Sequence, residues 1–247
     1  MEKVTIDINC DVGEGVGNEA GILPLVSSCN IACGGHTGDI ESMSRTVVLA
    51  KKNGVLMGAH PSYPDRGNFG RSTMDIEDNF LRESIKRQIN DLKNILDREQ
   101  VPLHHIKAHG ALYNDLAKNP DLSHLFLSVI EPYKSNTLLY VPPASIIAQI
   151  GKERGFSIRL EAFADRNYNP DLSLVSRKLP NALIKDPKAV LDHLATMAKK
   201  GKVSTINGVD RDLHADTYCL HGDTPNAFQI LMYLSQELPK QQIYIKK

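Results

Sequence analysis

The stretch Thr5-Ile6-Asp7-Ile8-Asn9-Cys10-Asp11-Val12-Gly13-Glu14 alternates apolar and polar residues and then breaks on a glycine. A period of two marks a β-strand with one apolar and one polar face. The pattern returns in His105-Ile106-Lys107-Ala108-His109, in Leu160-Glu161-Ala162 running on to Asp165, and in Tyr218-Cys219-Leu220-His221-Gly222-Asp223. Strands of a parallel sheet covered on both faces read as unbroken apolar runs, so a polar alternate face needs a reason. A sheet closed on itself supplies one, because its inward face lines a lumen whose mouth gathers reactive side chains.

Working outward, strands are expected near residues 5–10, 29–32, 55–59, 105–108, 138–141, 158–163 and 217–220. Helical spacing fills most of the gaps, most clearly in Leu81, Ile85, Ile89, Leu92 and Leu96, which recur every three or four residues. Asn119-Pro120, Asp186-Pro187 and Thr224-Pro225 each place a capping side chain before a proline suited to a first helical turn. Gly54, Gly155 and Gly201 follow cationic helix ends and mark the stops. Asp39 reads as the cap of a helix running from Ser42 to Asn53.

Strand–helix alternation implies right-handed crossovers and a parallel sheet. Crossover-length gaps argue against a solvated antiparallel sheet. The expected fold is therefore a seven-stranded parallel β/α barrel, one domain over residues 1–247. Residues 169–184 and 205–214 lack periodicity and are expected as loops over the barrel mouth.

Composition narrows the function classes. Lys plus Arg and Asp plus Glu balance at 29 each, so no net field favours nucleic acid or an acidic membrane. The first strand begins almost at once, without a signal-like segment, and no apolar stretch approaches spanning length, so a cytoplasmic protein is expected. Cys10, Cys29, Cys33 and Cys219 form no CxxC pair and lie in or beside apolar runs, so free thiols are expected.

In parallel α/β folds the chemistry sits at the carboxyl ends of the strands. Here those ends carry Asn9, Asp11 and Glu14; Asn30, Gly34 and His36; His60, followed by the loop to Arg71; Lys107, His109 and Asn114; Glu161, Asp165 and Arg166; and His221 with Asp223. A single histidine near a strand end is usually structural, which is the reading for His104, His124, His193 and His214. His36, His60, His109 and His221 differ because a barrel brings all four strand ends together. Lys107 points into the lumen and needs a carboxylate such as Asp11 or Glu161, or an anionic ligand. Arg71 and Arg166 are suited to gripping a carboxylate.

The blocks NCDVGEG, SCNIACGGHTGD, GVLMGAHPSYPD with NFGR, KAHGALYN, EAFADRNY and CLHGDTPNA, spanning Asn9 to Ala227, resemble the LamB/YcsF family, described as the A subunit of 5-oxoprolinase. The resemblance implies a barrel of the glycoside hydrolase/deacetylase type that takes part in ATP-dependent opening of 5-oxoproline to glutamate with two further subunits, B and C. Asp11, Glu14, His60, Lys107 and His109 are then the catalytic candidates. Asn9, Asn30, Gly34, His36, Arg71, Asn114, Glu161, Asp165, Arg166, His221 and Asp223 are candidates for holding substrate or nucleotide. ATP, with Mg, enters as co-substrate, and no tightly bound cofactor is expected. Without a GxxxxGK[ST] phosphate loop, a nucleotide site on this chain needs strand-end glycines and helix N-termini.

The chain departs from the family pattern at Ala108, Gly35 and Ser72, which stand where proline, phenylalanine and a second arginine are usual. Two competing readings are a metal-dependent deacetylase or amidohydrolase, with Asp11, His36 and His60 as ligands joined by His109 and His221, and a non-catalytic protein that only holds substrate.

Overall fold

The computed structural model describes residues 3–247. In chain order its elements are β1 (Val4–Val12), α1 (Glu19–Ile22), β2 (Ser28–Ala32), α2 (Ile40–Lys52), β3 (Leu56–His60), α3 (Asp78–Arg98), β4 (His105–Lys107), α4 (Gly110–Leu116), α5 (Pro120–Ile130), β5 (Leu138–Val141), α6 (Ile146–Glu153), β6 (Ser157–Phe163), α7 (Pro187–Lys200), β7 (Lys202–Ser204), β8 (Asp210–Asp212), β9 (Thr217–Cys219), α8 (Ala227–Glu237) and β10 (Ile243–Ile245). The strands β1 to β6 and β9 pair in parallel in that order. β9 then returns to β1, with Asp7 opposite Thr217 and Asn9 opposite Cys219, and closes a seven-stranded parallel barrel.

Register explains why the polar face converges. Asp11 lies opposite Asn30 across β1 and β2, and Glu161 opposite Thr217 across β6 and β9. Alternate residues of each strand therefore meet inside at matching heights, while Ile6, Ile8, Cys10 and Val12 face outward into the apolar layer beneath the helices. α3 shows the complementary pattern: Leu81, Ile85, Ile89, Leu92 and Leu96 are all buried. The caps act as local chemistry dictates. Ser42 N–H donates to Asp39 at 2.8 Å and Ala189 N–H to Asp186 at 2.8 Å, while Gly201 leaves α7 at φ 60°.

The lower lumen is filled. His105 stacks on Tyr140 with centroids 4.0 Å apart, and its Nε2 lies 2.6 Å from Oδ1 of Asn30. A Cβ at Gly58 would lie 2.2 Å from that ring, so only glycine admits it. No helix among the described residues is long and apolar enough to cross a membrane.

Three expectations are corrected. Residues 205–214 do not line the cavity at the barrel mouth; most belong to a β7–β8 hairpin that donates to the carbonyls of Tyr168 and Pro170. Thr224 caps no helix, because its hydroxyl is drawn to Asp165 at 2.5 Å and α8 starts three residues later behind Asn226. β10 was not anticipated: it pairs with the first half of β1, Val4 opposite Ile243, below the level at which β2 begins.

Candidate active site

β1 and β4 supply the centre. Nζ of Lys107 lies 3.0 Å from Oδ1 of Asp11 and 2.9 Å from Oε1 of Glu161, and also reaches Sγ of Cys219 at 3.1 Å. Asn9 and Asn30 tie the acids together: Asn9 Nδ2 donates to Glu161 at 2.9 Å, and Asn30 Nδ2 donates to Asp11 at 2.7 Å. Lys107, Asp11 and Glu161 are each 3% exposed or less, so this is a buried ion triad in which every charge has an opposite neighbour. Burial alone pushes the Asp11 carboxyl up, but His60 and the Lys107 ammonium outweigh it and hold Asp11 well below the usual carboxylate range. Lys107 is likewise held above its ordinary value, Asp11 and Cys219 outweighing burial.

Next to Asp11 stands a cluster from three further segments. Nε2 of His60 is 3.5 Å from Oδ2 of Asp11, and Nδ1 of His109 is 3.0 Å from that same Nε2 and 3.4 Å from Oε1 of Glu14. His36 stacks on His109 with centroids 3.6 Å apart and reaches Glu14 through Nε2 at 3.1 Å. Burial, then the Asp11 and Asp223 charges, push the Glu14 carboxyl well above its ordinary range. Burial and the neighbouring rings hold His36 and His109 well below the usual imidazole range, so both favour the neutral form.

The loop Phe69-Gly70-Arg71 is pressed against this cluster. Phe69 adopts φ 55°, a left-handed conformation that a bulky residue holds only under constraint, and its carbonyl accepts from His109 Nε2 at 3.0 Å. The constraint is a close backbone approach, since a Cβ at Gly110 would lie 2.5 Å from the Gly70 carbonyl oxygen.

Above the cluster opens a cavity of about 700 Å³, bounded below by Asp11, His60, Lys107, His109, Phe163 and His221. Its upper wall carries Arg71, Lys118, Arg166, Arg177 and Lys178. Arg71 and Arg177 share Asp223 as their acidic partner. The upper wall is therefore cationic and suits an anionic ligand.

The expected residues fall into three groups. Asn9, Asp11, Glu14, Asn30, His36, His60, Lys107, His109 and Glu161 are joined in one contiguous network. Asp165 and His221 form an adjoining pair, with Asp165 accepting from His221 Nδ1 at 2.9 Å and from the His221 backbone at 3.1 Å; Arg71 and Asn114 stand at the wall, and Asp223 is bonded to Arg71. Gly34 and Arg166 serve the backbone. Gly34 accepts from Arg66, while Arg166 is clamped on the carbonyls of Ala182 and Val175.

Sequence reasoning missed Phe69 and Arg177. Arg177 lay in the unplaced segment 169–184, whose length without periodicity was the only signal, since long loops in compact domains usually line sites. That segment does line the cavity, as expected for a loop over the mouth. Phe69 contributes a carbonyl, which no side-chain pattern reveals.

Fold and site together define a closed parallel β/α-barrel protein with a buried acid, imidazole and lysine centre at the carboxyl ends of its strands. The chain belongs to the LamB/YcsF family, whose model matches residues 6–247. It is 37% identical to the 5-oxoprolinase A subunit of Fusobacterium nucleatum subsp. nucleatum over 99% of this chain and 97% of that protein. It is 39% identical to the 5-oxoprolinase A subunit of Pyrococcus abyssi over 97% of this chain and 96% of that protein. Among solved structures, the lactam utilization protein from Thermus thermophilus superposes with a TM-score of 0.90 at 32% identity, covering 98% of this chain and 99% of that one.

Proposed function

We propose that this chain is a 5-oxoprolinase subunit that opens the lactam of 5-oxo-L-proline to L-glutamate, in an assembly with subunits B and C that cleaves ATP. The observation that carries this reading is that Asp11, His60 and His109, backed by Glu14, line the base of a cavity whose upper wall is cationic. 5-Oxoproline offers the complementary pattern, a carboxylate for Arg71 and Arg177 and a lactam carbonyl for the base of the pocket. The names of the full-length relatives point the same way.

A five-membered lactam is a weak electrophile and its hydrolysis to glutamate is uphill, so ATP cleavage by the assembly, with Mg, supplies the driving force. Water adds to the lactam carbonyl carbon, the C–N bond breaks, and the ring nitrogen leaves as the amine of glutamate. In this reading the cluster polarises the water and receives its proton, in line with acid–base catalysis by positioned carboxylates and imidazoles. Lys107 is engaged by two carboxylates, so its role is to hold Asp11 ionised and in place. His221, oriented by Asp165, lines the cavity at the end of β9, next to β1, and would contact substrate.

The test is reconstitution with the partner subunits, measuring glutamate and ADP formed from 5-oxoproline while each component is omitted in turn. Product that requires this chain, and that falls with Asp11→Asn, supports the reading. Full glutamate formation without this chain overturns it.

A further inference from the structure

The hydrogen-bond inventory of His60 and His109 does not close with neutral rings alone. Nδ1 of His60 lies 2.8 Å from the Lys107 carbonyl oxygen, and Nε2 of His109 lies 3.0 Å from the Phe69 carbonyl oxygen. A carbonyl oxygen only accepts, so both of those nitrogens carry hydrogen. With one N–H per neutral ring, Nε2 of His60 and Nδ1 of His109 are left as facing lone pairs, which either an added proton or a metal ion must bridge. Those two atoms face each other at 3.0 Å. Two carboxylates converge on the same point: Asp11 Oδ2 is 3.5 Å from the first nitrogen, Glu14 Oε1 is 3.4 Å from the second, and all four residues offer ligand atoms within 4.8 Å of one another.

We infer that Asp11, Glu14, His60 and His109 form a binding site for one divalent transition-metal ion. Ligand atoms about 2.0–2.2 Å from such an ion lie roughly 3–4 Å apart around it, which matches the observed separations. The backbone supports the same conclusion. A ligating histidine characteristically donates its other N–H to a carbonyl or carboxylate, which fixes the tautomer, and both rings here do so to carbonyls. One of these carbonyls belongs to Phe69, held at φ 55°.

The donor set selects the ion class. Two imidazole nitrogens with two carboxylate oxygens suit Zn²⁺, Mn²⁺, Co²⁺ or Fe²⁺ rather than Mg²⁺ or Ca²⁺, which prefer all-oxygen surroundings. His36 is excluded from the set, because its Nε2 is already directed to Glu14 and its ring is stacked on His109. This departs from the sequence-based metal reading, which named His36 and not Glu14. The ion would supply Lewis-acid polarisation of water at the base of the cavity, which deepens the hydrolase reading and rests on it for purpose but not for binding.

The test uses the isolated chain, stripped with a chelator and checked by circular dichroism, then titrated calorimetrically with Zn²⁺, Mn²⁺, Co²⁺ and Mg²⁺. We expect about one equivalent of a transition metal at roughly micromolar affinity or tighter and much weaker Mg²⁺ binding. His60→Ala should abolish tight binding. Glu14→Gln, the milder change, should weaken it at least tenfold, and Co²⁺ should give visible absorption bands that are lost in His60→Ala. No stoichiometric binding of any of the three transition metals, or tight binding that survives both His60→Ala and His109→Ala, overturns the site. So does imidazole ¹⁵N spectroscopy of metal-replete protein showing the two rings sharing a proton. Because this readout needs neither substrate nor partners, failure of the 5-oxoprolinase reading and failure of the metal site are separately visible.

Discussion

Gln88 fills the space that a side chain on residue 35 would occupy: a Cβ built on Gly35 would lie 2.3 Å from Oε1 of Gln88 and 2.4 Å from Oγ of Ser62. Gln88, from the buried face of α3, accepts from the Ser62 backbone N–H at 3.0 Å and donates to the Ser62 carbonyl at 2.9 Å. Gly35 is thus matched by a glutamine that pins the segment following His60. Gly35→Ala should destabilise the fold by about 1–3 kcal/mol through overpacking. Adding Gln88→Ala should recover part of that loss, as a non-additive coupling in urea denaturation. Simple additivity would show that the two residues do not compete for the space.

Lys107→Met removes the only ammonium from the triad and leaves Asp11 and Glu161 buried against each other's charge. A loss of about 3–5 kcal/mol is expected at neutral pH, measured by chemical denaturation. Glu161→Gln in the Lys107→Met background should restore part of it. A loss under about 1 kcal/mol for Lys107→Met would mean that water or another cation reaches the acids.

Asp165 gives a pH signature. Burial raises its carboxyl, but His221 and the hydrogen bonds from His221 and Thr224 outweigh it, so the folded pKa lies below the ordinary value. The unfolded chain therefore takes up the proton first. The associated stability is present above the unfolded carboxylate pKa of about 4 and is lost as pH falls through the lower folded value. Wild type should lose stability faster than Asp165→Asn on acidification below about pH 4.5. Equal slopes for the two proteins would remove Asp165 from this linkage.

Arg177 and Arg71 should govern substrate capture. Arg177→Ala in the reconstituted assembly is expected to raise KM for 5-oxoproline on the order of tenfold with a smaller change in kcat, as for loss of uniform binding. Arg71→Ala should do the same and leave Asp223 to Arg177 alone. Steady-state kinetics check both, and a fall in kcat at constant KM would place these cations in the chemistry instead of the binding.

The barrel was legible because alternation and helix punctuation are local properties of the chain. Asp7, Asn9 and Asp11 against Ile6, Ile8 and Cys10 already separate lumen from shell. The gathering of His60, Lys107 and His109 followed from strand ends alone. The hairpin of residues 202–212 was not legible, since its strands are three residues each and its turn rests on a bond to the Tyr168 carbonyl. Thr224 looked like a cap because a local rule favours it, yet a distant buried carboxylate claimed its hydroxyl. Nor could sequence show that a Glu14 oxygen approaches Nδ1 of His109 while His36 only stacks on that ring, because that depends on which ring edge a loop carbonyl takes.

The packed lower lumen has a consequence for traffic. With His105 and Tyr140 stacked beneath the asparagines Asn9 and Asn30, and with these four side chains almost wholly shielded from water, the described residues leave no rear exit below Asp11. Whatever enters must leave by the same doorway, so each departing product clears the threshold before the next guest arrives, and a companion protein seated over that doorway would control both passages at once.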